Sequence, residues 1–284
     1  MGVPKYAETW KTIALEVSDS GVAVATMDSG DKGGVNLITG RLFKEFGEMV
    51  KRVARDDAIR VLVVRSANAH FWLAHLDVNS ILLEPNPPTE RGAVLNDWHS
   101  NMEILRTMPK ATIAEIAGRV GGGGHEFALN FDMRFGVYGV TTICQMEVPL
   151  GILPGGGACV NLRRLIGAGR TMEVVLAGDD LDAQTAERWG LLNRCFEDRG
   201  KLRAHVDALA ARLASFAPEA LRCAKQAVLA AERMPHTEAL KENLMLFYRS
   251  VRGPEAKARM ESFLKNGGQT PAGEHDLQRT LSKL

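Results

Sequence analysis

Ala111-Thr112-Ile113-Ala114-Glu115-Ile116-Ala117-Gly118-Arg119-Val120-Gly121-Gly122-Gly123-Gly124-His125-Glu126-Phe127-Ala128-Leu129 is the stretch on which the fold turns. Ala111 to Ala117 reads as a buried strand, and His125 to Leu129 reads as the opening of a helix. Between them, Gly121 to Gly124 present no Cβ, so the backbone can approach a partner closely. Such a junction either aims the free N–H groups of a helix start at a negative oxygen or is a close-packed turn. It lacks the Gly-Lys-Ser/Thr ending of a phosphate-binding loop and does not fit the dinucleotide fingerprint, which disfavours nucleotide chemistry.

Upstream, Thr12 to Val17 and Gly21 to Met27 are short apolar runs separated by Ser-Asp-Ser-Gly, predicting two antiparallel strands and a tight turn. Leu42, Phe46, Met49, Val50 and Val53 recur at helical spacing, and Ile59 to Val64 is a β-branched run of buried-strand length. A loop with Phe71 to Asp77 follows, then a helix from about Arg91 to Met108. Downstream, Phe131 to Val137 predicts a strand, and the chain then turns helical: Ala168 to Ala177, Asp182 to Trp189, Lys201 to Ser215, Pro218 to Arg233, His236 to Arg249 and Pro254 to Lys265. Strands feeding helices through glycine loops predict an α/β protein with a helical C-terminal section. The tail from Gly267 to Leu284, rich in Gly, Gln and charge, reads as an arm or a partly disordered end. No internal sequence repeat is evident.

Length and composition narrow the function classes. The 284 residues, 45% hydrophobic, suffice for a full-size core. Thirty-five Lys and Arg against 34 Asp and Glu leave no global field to gather a polyanion, so nucleic acid is not an expected partner. No run approaches the ~20 apolar residues that span a bilayer, and Met1 to Thr12 lacks the apolar centre of a signal peptide, which predicts a soluble, unexported chain with no membrane partner. Cys144, Cys159, Cys195 and Cys223 form no Cys-x-x-Cys pair and read as reduced packing residues, pointing to the cytoplasm.

Two carboxylates stand near the glycine run. Glu126 is either a first-turn residue favoured by the helix dipole or an acid/base group. Glu147, within Cys144-Gln145-Met146-Glu147-Val148-Pro149-Leu150-Gly151, is either a surface-loop residue or a carboxyl dehydrated by apolar neighbours and tuned for proton transfer. Composition does not choose between these readings.

The order of the pieces does. Phe71 to Asp77, the run from Ala117 through Glu126 to Leu129 with Asp132, Glu147 with Leu150-Gly151-Ile152-Leu153-Pro154-Gly155-Gly156-Gly157, Leu176 to Ala183, and Ala186 to Asn193 together resemble the enoyl-CoA hydratase/isomerase, or crotonase, superfamily. The resemblance covers about Thr12 to Lys265 and implies a crotonase-like repeated ββα spiral core over residues 1–200 holding the active site. It further implies a helical trimerisation region over 201–266, leaving the tail at 267–284, and assembly as a homotrimer or hexamer.

By the same resemblance, the substrate is an acyl-CoA thioester, and no metal or separate cofactor is needed. The backbone N–H groups of Leu76 and Gly123 would form the oxyanion hole, Glu126 would deprotonate the attacking water, and Glu147 would protonate the α-carbon. Lys32, Ala74, His75, Asp77, Gly122, Phe247 and Phe263 are implied in binding substrate or CoA, with Asp77 shaping its loop rather than reacting. The implied activity is enoyl-CoA hydration in fatty acid metabolism. Its alternatives are another crotonase-type reaction or a non-catalytic protein of this fold that binds CoA or a partner. This chain departs from the family pattern at His75 and Leu76, where smaller residues are common, at His125, and at Met146, where proline is frequent.

Overall fold

The computed structural model describes residues 6–30, 34–83 and 95–284. In chain order the elements of the first unit begin with β1 (Tyr6–Thr9), β2 (Ile13–Val17), β3 (Val22–Met27), α1 (Gly40–Arg55), β4 (Val61–Ser66), β5 (Phe71–Leu73), α2 (Val78–Leu82) and α3 (Asp97–Thr107). They continue through β6 (Ala111–Glu115), β7 (Arg119–Gly121), α4 (Gly122–Ala128), β8 (Met133–Val137), β9 (Thr142–Cys144), α5 (Ala158–Ala177), β10 (Leu181–Asp182), α6 (Ala183–Trp189), β11 (Arg194–Phe196) and α7 (Arg199–Ala214).

Two sheets result. The larger runs β1-β2-β3-β4-β6-β8-β11, and the smaller runs β10-β9-β7-β5. The β2–β3 pair is antiparallel across the predicted turn, where Gly21 N–H donates to Ser18 O at 3.0 Å; from β3 onward the large sheet is parallel. Successive strands alternate between sheets: β4 then β5, β6 then β7, β8 then β9. Each pass thus places one strand in each sheet before a helix returns the chain, which is the repeated ββα spiral expected of the crotonase fold. The repeat is structural only, because strands of three to six residues joined by unequal helices leave no common sequence period.

The central strand β4, Val61-Leu62-Val63-Val64-Arg65-Ser66, is buried on both faces, as a strand with parallel neighbours on each side requires. Leu62 and Val64 join Leu42, Phe46, Met49, Val50 and Val53 of α1 in the main core. Val61 and Val63 face the other way, onto Leu202, Val206, Ala210 and Ala214 of α7. Their four-residue spacing makes one apolar stripe on that helix. Polar ties reinforce it: Glu115 accepts from Arg65 Nε and Arg203 Nε, both at 2.7 Å, and Arg65 also pairs with Asp207.

The chain divides into two compact units, Met1–Ala214 and Ser215–Leu284, so the helix 199–214 falls within the core unit rather than beyond a boundary at residue 200. The second unit contains α8 (Pro218–Ala231), α9 (His236–Val251), α10 (Ala256–Lys265), α11 (Pro271–His275) and α12 (Leu277–Leu281). The tail read as an arm holds the last two of these helices. Thr270 caps α11 through its side chain, which accepts from Gly273 N.

Other expectations need adjusting. The predicted loop at Phe71 carries β5, and α5 starts ten residues before Ala168, interrupted at Gly167 (φ 77°, ψ 172°). The helix expected from Arg91 is described as α3 from Asp97, and its first four residues lie outside the described residues. Among the described residues, no helix is long and apolar enough to cross a membrane.

Candidate functional site

Helix α4 begins at Gly122, not at His125, so three of the glycines form its first turn. Close packing explains why they are glycines. A Cβ on Gly124 would collide with Leu73 O, while one on Gly123 would lie 3.2 Å from Leu76 Cβ and 3.4 Å from Leu76 N. Gly122 has φ +45°, and its Cβ would lie 2.9 Å from Glu147 Oε1. The run is thus a close-packed turn, and that packing sets the Gly123 backbone against Leu76.

Among the described residues, two N–H groups there lack a helix or ladder acceptor. Gly123 is the second residue of α4, a position without an intrahelical acceptor, and no side chain caps that helix. Leu76 forms an isolated parallel bridge with Ile38 in which Ile38 N–H donates to His75 O (2.9 Å) and Asp77 N–H donates to Ile38 O (3.1 Å). That pattern leaves the N–H of Leu76 itself outside the ladder. Neighbouring amides without a ladder or helix partner can stabilise a negatively charged oxygen.

Glu126 sits in the second turn of α4, so the first-turn reading does not hold. The residue is 3% exposed, and its Oε1 accepts from the N–H of Gly156 (2.7 Å) and of Ala158 (3.0 Å) at the start of α5. Burial pushes its pKa up to about 7, with the nearby Glu147 charge acting in the same direction and the amide donors opposing. Glu147 is 8% exposed and follows β9, so it is not a surface-loop residue. Burial raises its pKa, opposed chiefly by hydrogen bonds, including one from Gln145 Nε2 to Oε2 at 3.0 Å. Two carboxyls with raised pKa values on one cavity are suited to giving and taking protons.

That cavity has a volume of about 640 Å³. Glu126, Glu147, Leu76 and Gly123 all line it, as do the apolar Val78, Ile81, Leu150, Ile152 and Leu153 and the more polar Asn96, Trp98 and His99. His75 also lines it, with Nδ1 2.8 Å from Leu76 O. Ala74 is buried beneath, its N–H on Asn36 O at 2.8 Å. Asp77 caps α2, accepting from Asn79 N at 3.0 Å.

Lys32 lies outside the described residues. Phe247 on α9 is 56% exposed, and Phe263 on α10 is half-buried against Gly268; both belong to the second unit. Sequence reasoning gave no role to Gln145, Trp98 or the Gly156 and Ala158 amides. The only signal was the position of Gln145 two residues before Glu147 and the glycine cluster ahead of α5. Among the described residues, no three His, Cys, Asp or Glu side chains are grouped as a metal would need.

Strands wound alternately into two sheets, with a buried carboxylate pair over a glycine-started helix, define the crotonase class of fold. The sequence profile described as enoyl-CoA hydratase/isomerase matches residues 18–269. The probable enoyl-CoA hydratase echA8 of Mycobacterium bovis is 27% identical over 257 residues, spanning 90% of this chain and 96% of that protein. The fatty acid oxidation complex subunit alpha of Shewanella halifaxensis is 29% identical over 198 residues, 69% of this chain but 28% of that longer protein. A crystal structure of a Geobacillus kaustophilus enoyl-CoA hydratase superposes with a TM-score of 0.83 at 26% identity, covering 93% of this chain and 97% of the other. The chain belongs to the enoyl-CoA hydratase/isomerase family and is an enzyme of the crotonase type.

Proposed function

We propose that the protein is an enoyl-CoA hydratase that reversibly adds water to the double bond of a 2-enoyl-CoA thioester. The observation that carries this reading is the convergence of Glu126 and Glu147, both buried, on one cavity with the unpaired amides of Leu76 and Gly123. Glu126, anchored through Oε1, takes a proton from water as the water oxygen bonds to C3. The C2–C3 π electrons move toward the thioester carbonyl, and the negative oxygen accepts from Leu76 and Gly123. Glu147 then delivers its proton to C2 and the carbonyl re-forms, so one water has been added and one proton has passed from the Glu147 side to the Glu126 side. Loss of one oxyanion donor costs about 3 kcal/mol in other enzymes, so the two amides supply a large share of the acceleration.

The apolar walls contributed by Ile81, Leu150, Ile152 and Leu153 suit an apolar acyl group. CoA is part of the substrate, and no further cofactor is required. Lys32, Phe247 and Phe263 are assigned to CoA binding by family resemblance. Exposed Leu240, Leu244, Met245, Tyr248 and Val251 on α9 support association into a homotrimer or hexamer, which light scattering measures directly. The four unpaired cysteines support a cytoplasmic location.

Turnover on a panel of 2-enoyl-CoA thioesters with mass detection tests the reading, since hydration alone adds one water to the substrate mass. Loss of the conjugated-thioester absorbance should be nearly abolished by Glu126→Gln and by Glu147→Gln. Isomerised product of unchanged mass would instead support a crotonase-type isomerase. CoA binding with no turnover across the panel would support a non-catalytic protein.

A further inference from the structure

Behind Glu147 runs a buried chain of two side chains that reaches back to α4. Gln145 Nε2 donates to Glu147 Oε2 at 3.0 Å, and Gln145 Oε1 lies 2.8 Å from His125 Nδ1. Gln145 is wholly buried and His125 is 1% exposed. An ionised carboxylate only accepts, so the amide must turn its NH2 toward Glu147. That leaves an acceptor-only oxygen facing the ring, which therefore carries its proton on Nδ1. The other nitrogen, Nε2, is a buried acceptor without a partner among the described residues. Burial, reinforced by the Arg134 charge, pushes the pKa of His125 down to about 4, so the ring stays neutral while the enzyme works.

A buried histidine with one unmatched nitrogen is a poor packing residue, because an unpaired buried acceptor costs stability that an apolar side chain would avoid. Its matched nitrogen supplies the compensating role. We infer that His125 is a positioning residue: by donating its Nδ1 proton to Gln145 Oε1, it fixes which end of the amide faces Glu147, and so holds the proton-transfer carboxyl in place. Without that donor the amide can turn end for end and present its oxygen to Glu147, which favours the protonated carboxyl and loosens its orientation. The inference deepens the hydratase proposal and rests on Glu147 being the group that exchanges a proton with C2.

The charges facing these groups are few. Glu147 interacts with Glu126, His75, Cys144 and Cys159, and His125 with Arg134. None of them is altered by the variants that test the inference. Dehydration of a 3-hydroxyacyl-CoA is the informative direction, since there Glu147 must be ionised. His125→Leu should lower kcat about tenfold while KM changes less than about twofold, and should move the acid limb of the kcat profile to higher pH. His125→Asn, which returns an N–H near the position of Nδ1, should recover most of the loss. Gln145→Leu should reproduce the defect, and the double variant His125→Leu/Gln145→Leu should be no worse than either single one.

A folded His125→Leu protein with wild-type kcat and an unmoved acid limb overturns the inference, as does His125→Asn impaired to the same degree as His125→Leu. If His125→Leu does not fold, Gln145→Leu decides: the same kcat loss and limb displacement support the inference, and wild-type kinetics overturn it. Wild-type protein inactive on the whole thioester panel would sink the hydratase reading itself, an outcome distinct from active wild type with indifferent variants.

Discussion

Trp98 donates its indole N–H to the carbonyl of Gly156 at 3.1 Å, and the N–H of the same glycine holds Glu126 Oε1 at 2.7 Å. Helix α3 therefore secures, through one residue of the connecting loop, the carboxylate carried by α4. Stacking of Trp98 on Phe43, with ring centroids 5.7 Å apart, fixes the indole from its other side.

Trp98→Phe keeps the ring stack and deletes the tether. The expected result is a several-fold fall in kcat for hydration with about 1 kcal/mol of lost stability, the ordinary worth of one hydrogen bond. Steady-state kinetics alongside urea unfolding measure both. Wild-type kcat in this variant would show that the Gly156 loop needs no support from α3.

Gly156→Ala is a harsher test of the same contact. A Cβ there would collide with Glu126 Oε2 and lie 2.7 Å from Trp98 Nε1, whereas one on neighbouring Gly155 would meet nothing within 4 Å. Activity should fall about a hundredfold or more in Gly156→Ala, since displacement of a reacting group by about 1 Å has that effect. Gly155→Ala should lose far less. Comparable losses in the two variants would mean that the loop, rather than the carboxylate contact, sets the rate.

On the proposed mechanism, hydration needs Glu126 ionised and Glu147 protonated, and dehydration needs the reverse, so both directions use the pair with one proton between them. The profile of kcat/KM against pH should accordingly be bell-shaped, with one limb near pH 7, where Glu126 titrates. Glu126→Asp shifts that limb if the assignment is right. A rate independent of pH between about 5 and 8 contradicts it.

Stability should show two opposed pH dependences. The pKa of His125 is lowered from 6.5 to about 4 on folding, so its contribution is present above 6.5 and is lost as pH falls through that window. Glu126 is raised from 4.5 to about 7, so its contribution is present below 4.5 and is lost as pH rises toward 7. Between 4.5 and 6.5 the two slopes offset in the wild type. Glu126→Gln removes one carboxylate slope and leaves that of Glu147 to oppose the histidine, so this variant should lose more stability on acidification than the wild type, at most about 1.4 kcal/mol per pH unit. Denaturant unfolding at several pH values reads the difference.

The long periodic elements were legible in the sequence because their side chains repeat the geometry they adopt. Val61 to Val64 can only be a strand buried on both faces, and Leu42 through Val53 make one helical stripe. The strands of the smaller sheet were not legible: β7, β9 and β10 have two or three residues and exist because neighbours pair with them. At the site, Glu126 and Glu147 could be singled out only through the ordered motifs around them. Gln145 and Trp98 escaped notice because their roles depend on partners 20 and 58 positions away, His125 and Gly156.

One bridge gives this architecture a further meaning. Strand β5 is the margin of the smaller sheet, and just beyond it the pairing of Ile38 with Leu76 extends for a single residue pair. Unpaired amides at a sheet margin ordinarily invite a foreign strand and are a hazard to be covered or charged. Here Leu76 lines the same cavity as Gly123, Glu126 and Glu147, so the unpaired amide belongs to the candidate site and not to a bare edge. Because the parallel pattern turns the Leu76 N–H away from Ile38, a longer bridge would make a tidier sheet without ever engaging that donor.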